Sequence, residues 1–175
     1  GVWNTYTNGG KTLYVDAAIT RVAQGTTGND TMNYGEQGAN IHGGNGGDIL
    51  HNGAPGQTLY GDAGNDAFRL ADLNGDGRIS AADFAAIHGG DGVDRIEIAG
   101  LGEILDLGGL ALGVITGVEG ATLGGAGSHL ILDQDSLTAL GQTSFTVSGN
   151  SAGVVELWGG HWTYERSQSG NRVYR

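Results

Sequence analysis

The chain has 175 residues, of which 36 are glycine, one is proline and none is cysteine, and its formal net charge is −11. That length suits one domain, or one domain with an appendage; the lack of cysteine excludes a disulfide framework, and acidity without a basic stripe argues against nucleic acid and for metal cations. Hydrophobic residues make up 38%, enough for a thin core, no apolar run reaches the length of a membrane span, and the abundant glycine follows no G-X-Y period, which excludes collagen.

Residues 1–24 open with a strand-turn-strand pattern in "GVWNTYTNGGKTLYVDAAI" and are expected to form a β-hairpin, either a cap or the tail of a preceding unit. The chain starts at Gly1 with neither methionine nor signal peptide, so a piece of a longer protein is expected.

From Gly25 the sequence divides without a gap into nine-residue units: "GTTGNDTMN", "YGEQGANIH", "GGNGGDILH", "NGAPGQTLY" and "GDAGNDAFR". The eighth position is always apolar (Met32, Ile41, Leu50, Leu59, Phe68), whereas the sixth alternates: Asp30, Ala39, Asp48, Gln57, Asp66. Six residues rich in glycine and asparagine predict a turn, and three predict a short strand whose middle side chain points inward. A flexible glycine-rich linker would not need that apolar eighth residue. Two units make one circuit with a turn on each side, so the aspartates fall on one side only. There they stack at about 4.8 Å, the spacing of neighbouring strands. Carboxylates that close repel unless a cation lies between them, and oxygen-only ligands suit Ca²⁺. One calcium column is expected rather than two.

These units resemble the RTX (repeats-in-toxin) family of secreted bacterial proteins, with consensus G-G-x-G-x-D-x-U-x, where U is a large apolar residue. Residues 43–51 and a further unit, "GGDGVDRIE" at 89–97, fit it fully; 61–69 depart at Asp62, and 25–33 lack the second glycine. The resemblance implies an all-β, right-handed parallel β-roll or β-solenoid with Ca²⁺ in the turns that folds only with the metal. It also implies secretion by a type I route to the outside or the cell surface. Carried onto this chain, the expected ligand positions are Asp30, Asp48, Asp66 and Asp94, with Gly28, Gly43, Gly44, Gly46, Gly61 and Gly64 shaping the turns.

Residues 72–83, "DLNGDGRISAAD", carry a second calcium pattern. Asp72, Asn74 and Asp76 supply oxygens at positions 1, 3 and 5, Gly77 allows the sharp turn, Arg78 offers its carbonyl, and Ser80 and Asp83 follow at 9 and 12. This is EF-hand loop spacing. A final Asp instead of Glu is similar to the loop of dockerin modules, but with only one copy no docking function is expected. An ordinary metal-free Asx turn is the competing reading. "SAADFAAI" (80–87) predicts a short helix with Ser80 as its N-cap. The loop is expected to replace an even-side turn, so that the β-roll spans 25–97 with the insert at 72–88 and Asp94 lies over Asp66.

Residues 98–175 alternate short apolar strands with glycine-rich turns, "GEILDLGGL", "LGVITGVEG", "SHLILDQD", "TSFTVSG" and "GVVELWGG", with helical character at "DSLTAL". They predict a continuing β-stack and a small cap. The segment "ITGVEGATLGGAGSHLILDQDSLTAL" resembles one that follows calcium repeats in very large RTX adhesins. "SGNRVYR" (169–175) reads as the opening strand of a hairpin that is then cut, or as a partner for residues 1–19.

No enzyme is expected. The five histidines lack ligand spacing to one another and read as solvated; no G-x-S-x-G elbow occurs. The only proline follows Ala54, so the Asp-Pro self-cleavage of some RTX-family proteins has no substrate bond here. Trp3, Trp158, Trp162 and Tyr164 suggest either a sugar platform or, more commonly for tryptophans in such a setting, the core of the cap. The expected function is a calcium-dependent folding and structural module of a secreted, adhesin-like RTX protein, any cell-surface or glycan ligand being met by other parts of the parent. The alternatives are a carrier module of an exported enzyme and a carbohydrate-binding module.

Overall fold

A computed structural model describes residues 3–8, 11–16, 20–149, 152–159, 164–168 and 171–174; in the strands of the first 16 residues and of residues 164–174 it describes the backbone alone. Its elements, in chain order, are β1 (Trp3–Asn8), β2 (Lys11–Asp16), β3 (Val22–Gln24), β4 (Thr31–Asn33), β5 (Asn40–Asn45), β6 (Ile49–His51), β7 (Thr58–Ala63), β8 (Ala67–Leu70), β9 (Arg78–Ile79), β10 (Ala86–Asp91), β11 (Arg95–Ile98), β12 (Ile104–Asp106), β13 (Ile115–Thr116), β14 (Gly120–Leu123), β15 (His129–Asp133), α1 (Gln134–Ala139), β16 (Thr146–Gly149), β17 (Val154–Trp158), β18 (Tyr164–Gln168) and β19 (Asn171–Tyr174).

Among the described residues the chain is all-β apart from that one short helix. Three open parallel sheets hold the body, in the orders β13-β10-β7-β5-β3, β16-β14-β11-β8-β6-β4 and β17-β15-β12-β9. Strands from odd nine-residue units enter one sheet and strands from even units another, as the repeat predicts. In the strands of the nine-residue units the eighth residue points inward: the triplet Ile49–Leu50–His51 buries only its middle member. Register is in phase, with Thr31 beside Ile49, Ile49 beside Ala67 and Ala67 beside Arg95. Leu50, Phe68 and Ile96 therefore face Ile41, Leu59 and Ile87 across an apolar interior in which all six are fully buried.

Two sides do not persist. Until β8 successive aspartates are 18 residues apart; across the insert the step becomes 28, and the step from Asp94 to the next carboxylate, Glu119, is 25. Residues 71–85 are too long for a six-residue turn. Ile79 and Phe84 turn inward there, 2% and 0% exposed, and β9 becomes the first strand of a third sheet. From β9 to β15 the chain visits the three sheets in rotation. Leu105, Leu107, Leu130 and Leu132 join the interior, so the far end has a thicker core than the two-sided start.

The helix predicted after residue 80 does not form. Residues 81–83 make one turn, closed by the Asp83 amide to the Ser80 carbonyl at 3.0 Å, and Ala86–Asp91 is strand β10. Pairing to β7 outweighs alanine's helical propensity: Ile87 sits beside Leu59, and the Ala85 amide reaches the Gln57 carbonyl at 2.7 Å. The helical character expected at "DSLTAL" (135–140) does appear, as α1 at 134–139, where Asp133 and Ser136 form a capping box.

β1 and β2 form the expected antiparallel hairpin. At the other end β19 is the closing strand of a hairpin with β18, Asn171 opposite Gln168, not the opening strand that "SGNRVYR" suggested.

Candidate metal centre

Each aspartate of the odd units is the residue immediately before its strand: Asp30 before β4, Asp48 before β6, Asp66 before β8 and Asp94 before β11. In-phase pairing stacks them in one column. The bonds along it are regular. The Asp30 amide donates to Asp48 Oδ1 at 2.7 Å, the Asp48 amide to Asp66 Oδ1 at 2.7 Å, and the Asp66 amide to Asp94 Oδ1 at 2.8 Å. Asp94 thus lies over Asp66 as expected.

The second oxygens are unlike the first. Oδ2 of Asp48, Asp66 and Asp94 is buried with no protein hydrogen-bond partner. These side chains are at most 1% exposed. A buried, unsatisfied carboxylate oxygen is costly, by several kcal/mol when charged. Burial pushes Asp66 above the usual carboxylate range, against the Asp48 amide and with help from the charges of Asp48 and Asp62. Burial pushes Asp94 up to about 6, the Asp66 amide opposing and the charges of Asp66 and Glu119 adding. No cationic group offsets the burial of either carboxylate.

Backbone oxygens stand beside these orphans. A Cβ built on Gly43 would lie 2.4 Å from Asp48 Oδ2 and 2.8 Å from the Gly61 carbonyl oxygen; one on Gly61 would lie 2.4 Å from both Asp66 Oδ2 and the Gly89 carbonyl. Only glycine leaves this space open. Gly44, Gly46 and Gly64 all have positive φ, and at Gly64 (φ 134°) a Cβ would collide with the Gly46 carbonyl. Gly28 has no such crowding; its amide donates to Thr26 Oγ1 at 3.2 Å. Asp62 replaces the second glycine of its unit at φ 69° and turns its carboxylate to His42 Nδ1 at 3.1 Å. The orphaned Oδ2 atoms and the glycine carbonyl oxygens near them are donor types that suit Ca²⁺, although among the described residues no three His, Cys, Asp or Glu side chains gather as a metal site. They fit soft metals poorly, since no thiolate or imidazole is among them.

The even side is built differently. Ala39 and Gln57 occupy the sixth positions there, both fully buried. Gln57 Nε2 donates to the Tyr34 and Glu36 carbonyls at 2.5 and 3.0 Å, so an amide occupies the turn where the other side has carboxylates.

The 72–83 loop brings its candidate ligands onto one turn. Asp72 accepts from the amides of Gly75 and Gly77 at 2.7 and 2.6 Å, Asn74 Oδ1 from Asp76 N at 2.9 Å, and Asp76 Oδ1 from Arg78 N at 2.8 Å. Asp83, fully buried, ties the ends: Oδ1 takes the Leu73 amide and Oδ2 the Ser80 amide, both at 2.8 Å. The loop is self-bonded, and a cation would use the remaining lone pairs, of which each carboxylate has about four.

Several residues escaped sequence reasoning. Glu119 lies immediately before β14, as each aspartate lies before its own strand, and its Oε2 accepts the Asp94 amide at 2.8 Å. Its signal was hidden because the six-residue turn is shortened there. His42, Tyr60 and His88 form a ring stack along the outer face of the even sheet, centroids 4.3 and 4.9 Å apart, where solvated histidines were expected. For His42 and Tyr60 the shared ninth position was the available signal, and His88 joins them through the pairing of β10 with β7. Trp158, at 60% exposure, is not core; the side chains of Trp3, Trp162 and Tyr164 lie outside the described residues. Among the described residues no helix is long and apolar enough to cross a membrane. No protein-family model, curated protein or solved structure matches the chain.

Proposed function

We propose that this chain is a calcium-binding, right-handed parallel β-roll with an EF-hand-like loop, serving as a folding and structural module of a secreted, adhesin-like bacterial RTX protein. The observation that carries the reading is the column of buried, unpartnered Oδ2 atoms of Asp48, Asp66 and Asp94 beside glycine carbonyls. Without cations these carboxylates oppose folding; with them they cross-link successive circuits. In a cytosol poor in calcium the repeat circuits stay unfolded and the chain exportable, and outside they fold. For an affinity of about 10⁻⁴ M, tenfold excess calcium contributes roughly 1.4 kcal/mol per site. Four such sites amount to about 5–6 kcal/mol, comparable to the whole stability of a small domain.

A calcium titration followed by far-ultraviolet circular dichroism, with magnesium as control, tests this. The expected result is a cooperative gain of β signal with calcium alone. A full β signal in chelator, unchanged by calcium, would reject the folding role.

A further inference from the structure

Glu119 and Gln142 belong to no repeat unit, yet they meet the column where it stops. Each interior rung has the same form: one carboxylate oxygen accepts the amide of the preceding aspartate, and the other is left bare. Glu119 follows the first half of that rule, taking the Asp94 amide on Oε2 at 2.8 Å. It breaks the second half, because its Oε1 accepts Gln142 Nε2 at 2.5 Å. The opposite end is closed likewise: Asp30 Oδ2 accepts the Thr26 amide and hydroxyl at 2.6 and 2.8 Å. Protein donors therefore meet the carboxylates at both ends of the column, and its interior carboxylates each keep an orphaned oxygen.

The glycine framework also reaches this far. A Cβ on Gly89 would meet Asp94 Oδ2 at 2.5 Å and the Gly117 carbonyl at 1.7 Å, repeating the arrangement at Gly61. Gly117 thus stands where a unit's first glycine stands, two residues before Glu119 rather than five before an aspartate. Glutamate has one more methylene than aspartate, which suits a carboxylate offered from a shorter turn. Asp94 Oδ2, buried and unpartnered, is aimed into this same space.

We infer that Glu119 is the terminal carboxylate of the column, binding a divalent cation together with Asp94 and the Gly117 carbonyl, and that the Gln142 amide occupies the place the next cation would take. The inference rests on the calcium reading above. The column then extends one circuit past the last recognisable repeat, and Gln142 sets its length.

The full chain, loaded with Ca²⁺ and counted by native mass spectrometry, with Tb³⁺ luminescence as a second readout, tests both halves. Glu119→Gln keeps the length and an acceptor for the Asp94 amide; it is expected to hold one ion fewer, or to bind its weakest ion roughly tenfold less tightly. Gln142→Glu is expected to hold one ion more. Circular dichroism in calcium checks each fold, and should Glu119→Gln not fold, the Gln142→Glu count decides alone. Unchanged counts and affinities in both variants, with a lowered count in Asp48→Ala, overturn this inference and leave the calcium column standing. No change in Asp48→Ala either overturns the column itself.

Discussion

At the scale of the residue, the two sides of the molecule make opposite predictions. Asp48 contributes to the column both above and below its own rung, so Asp48→Ala is expected to weaken two sites, each by tenfold or more (about 1.4 kcal/mol). Gln57→Ala should leave calcium affinity alone. It strips the Tyr34 and Glu36 carbonyls of their donor and is expected to cost about 1–3 kcal/mol of stability instead. Calorimetric titration beside urea denaturation separates these effects, and an equal loss of calcium affinity in both variants would reject a one-sided column. Asp94 adds a pH dependence. Its carboxyl is pushed up to about 6 in the metal-free fold, so the folded state holds its proton more tightly than the unfolded chain does. That stabilisation is complete below the unfolded value near 3.8 and is lost as pH rises through about 6. In chelator the melting temperature is therefore expected to fall between pH 5 and 7.5; in calcium, which competes with the proton, it should rise or stay level. The alternation of Asp with Ala and Gln was legible because it is written at fixed spacing. Glu119 was not, because its spacing changes while its partner stays the same.

At the scale of the element, the insert at 72–83 was legible as a loop but not as a corner. Its ligand-like spacing is a local pattern, whereas the third sheet depends on where Ile79 and Phe84 find apolar partners, and the sequence nearby does not encode those partners. The missing helix after residue 80 has the same origin. Local propensity favoured helix, and a neighbouring strand with unpaired edge groups favoured extension; the second is a tertiary fact. Asp83 is the residue that holds the corner together, since it accepts from Leu73 and from Ser80 while fully buried. Asp83→Ala is expected to cost about 2–4 kcal/mol, because it unmakes the hydrogen bonds of a buried carboxylate and leaves the Leu73 and Ser80 amides without that acceptor. Denaturant unfolding in chelator measures this without any contribution from metal. Loss of stability in calcium alone would instead mean that Asp83 acts only as a ligand.

At the scale of the whole molecule, stability is expected to be graded along the chain. Strands touch mainly those of adjacent circuits, so each circuit is held by its neighbours and its own interior, much as in repeat proteins. The early circuits have two walls and few interior side chains, among them Ile41, Leu50 and Leu59. The later ones have three walls and enclose Phe84, Ile98, Leu105, Leu107, Leu130 and Leu132. Each such side chain contributes about 1.5–3 kcal/mol on burial, so the far end can stand by apolar packing where the near end cannot. Three of the column's carboxylates, Asp30, Asp48 and Asp66, belong to the thin end. Residues 30–66 are then expected to depend on calcium far more than residues 95–133. Hydrogen exchange resolved along the chain distinguishes the cases. In chelator, amides of β4 to β8 should exchange freely while those of β11, β12, β14 and β15 stay protected, and calcium should extend protection to the first group. Uniform loss of protection in chelator would mean that the column governs the three-walled end as well, and that burial there is too weak to stand alone. Uniform protection would mean that the thin core suffices, leaving the orphaned oxygens of Asp48, Asp66 and Asp94 as strain that the fold tolerates without a metal.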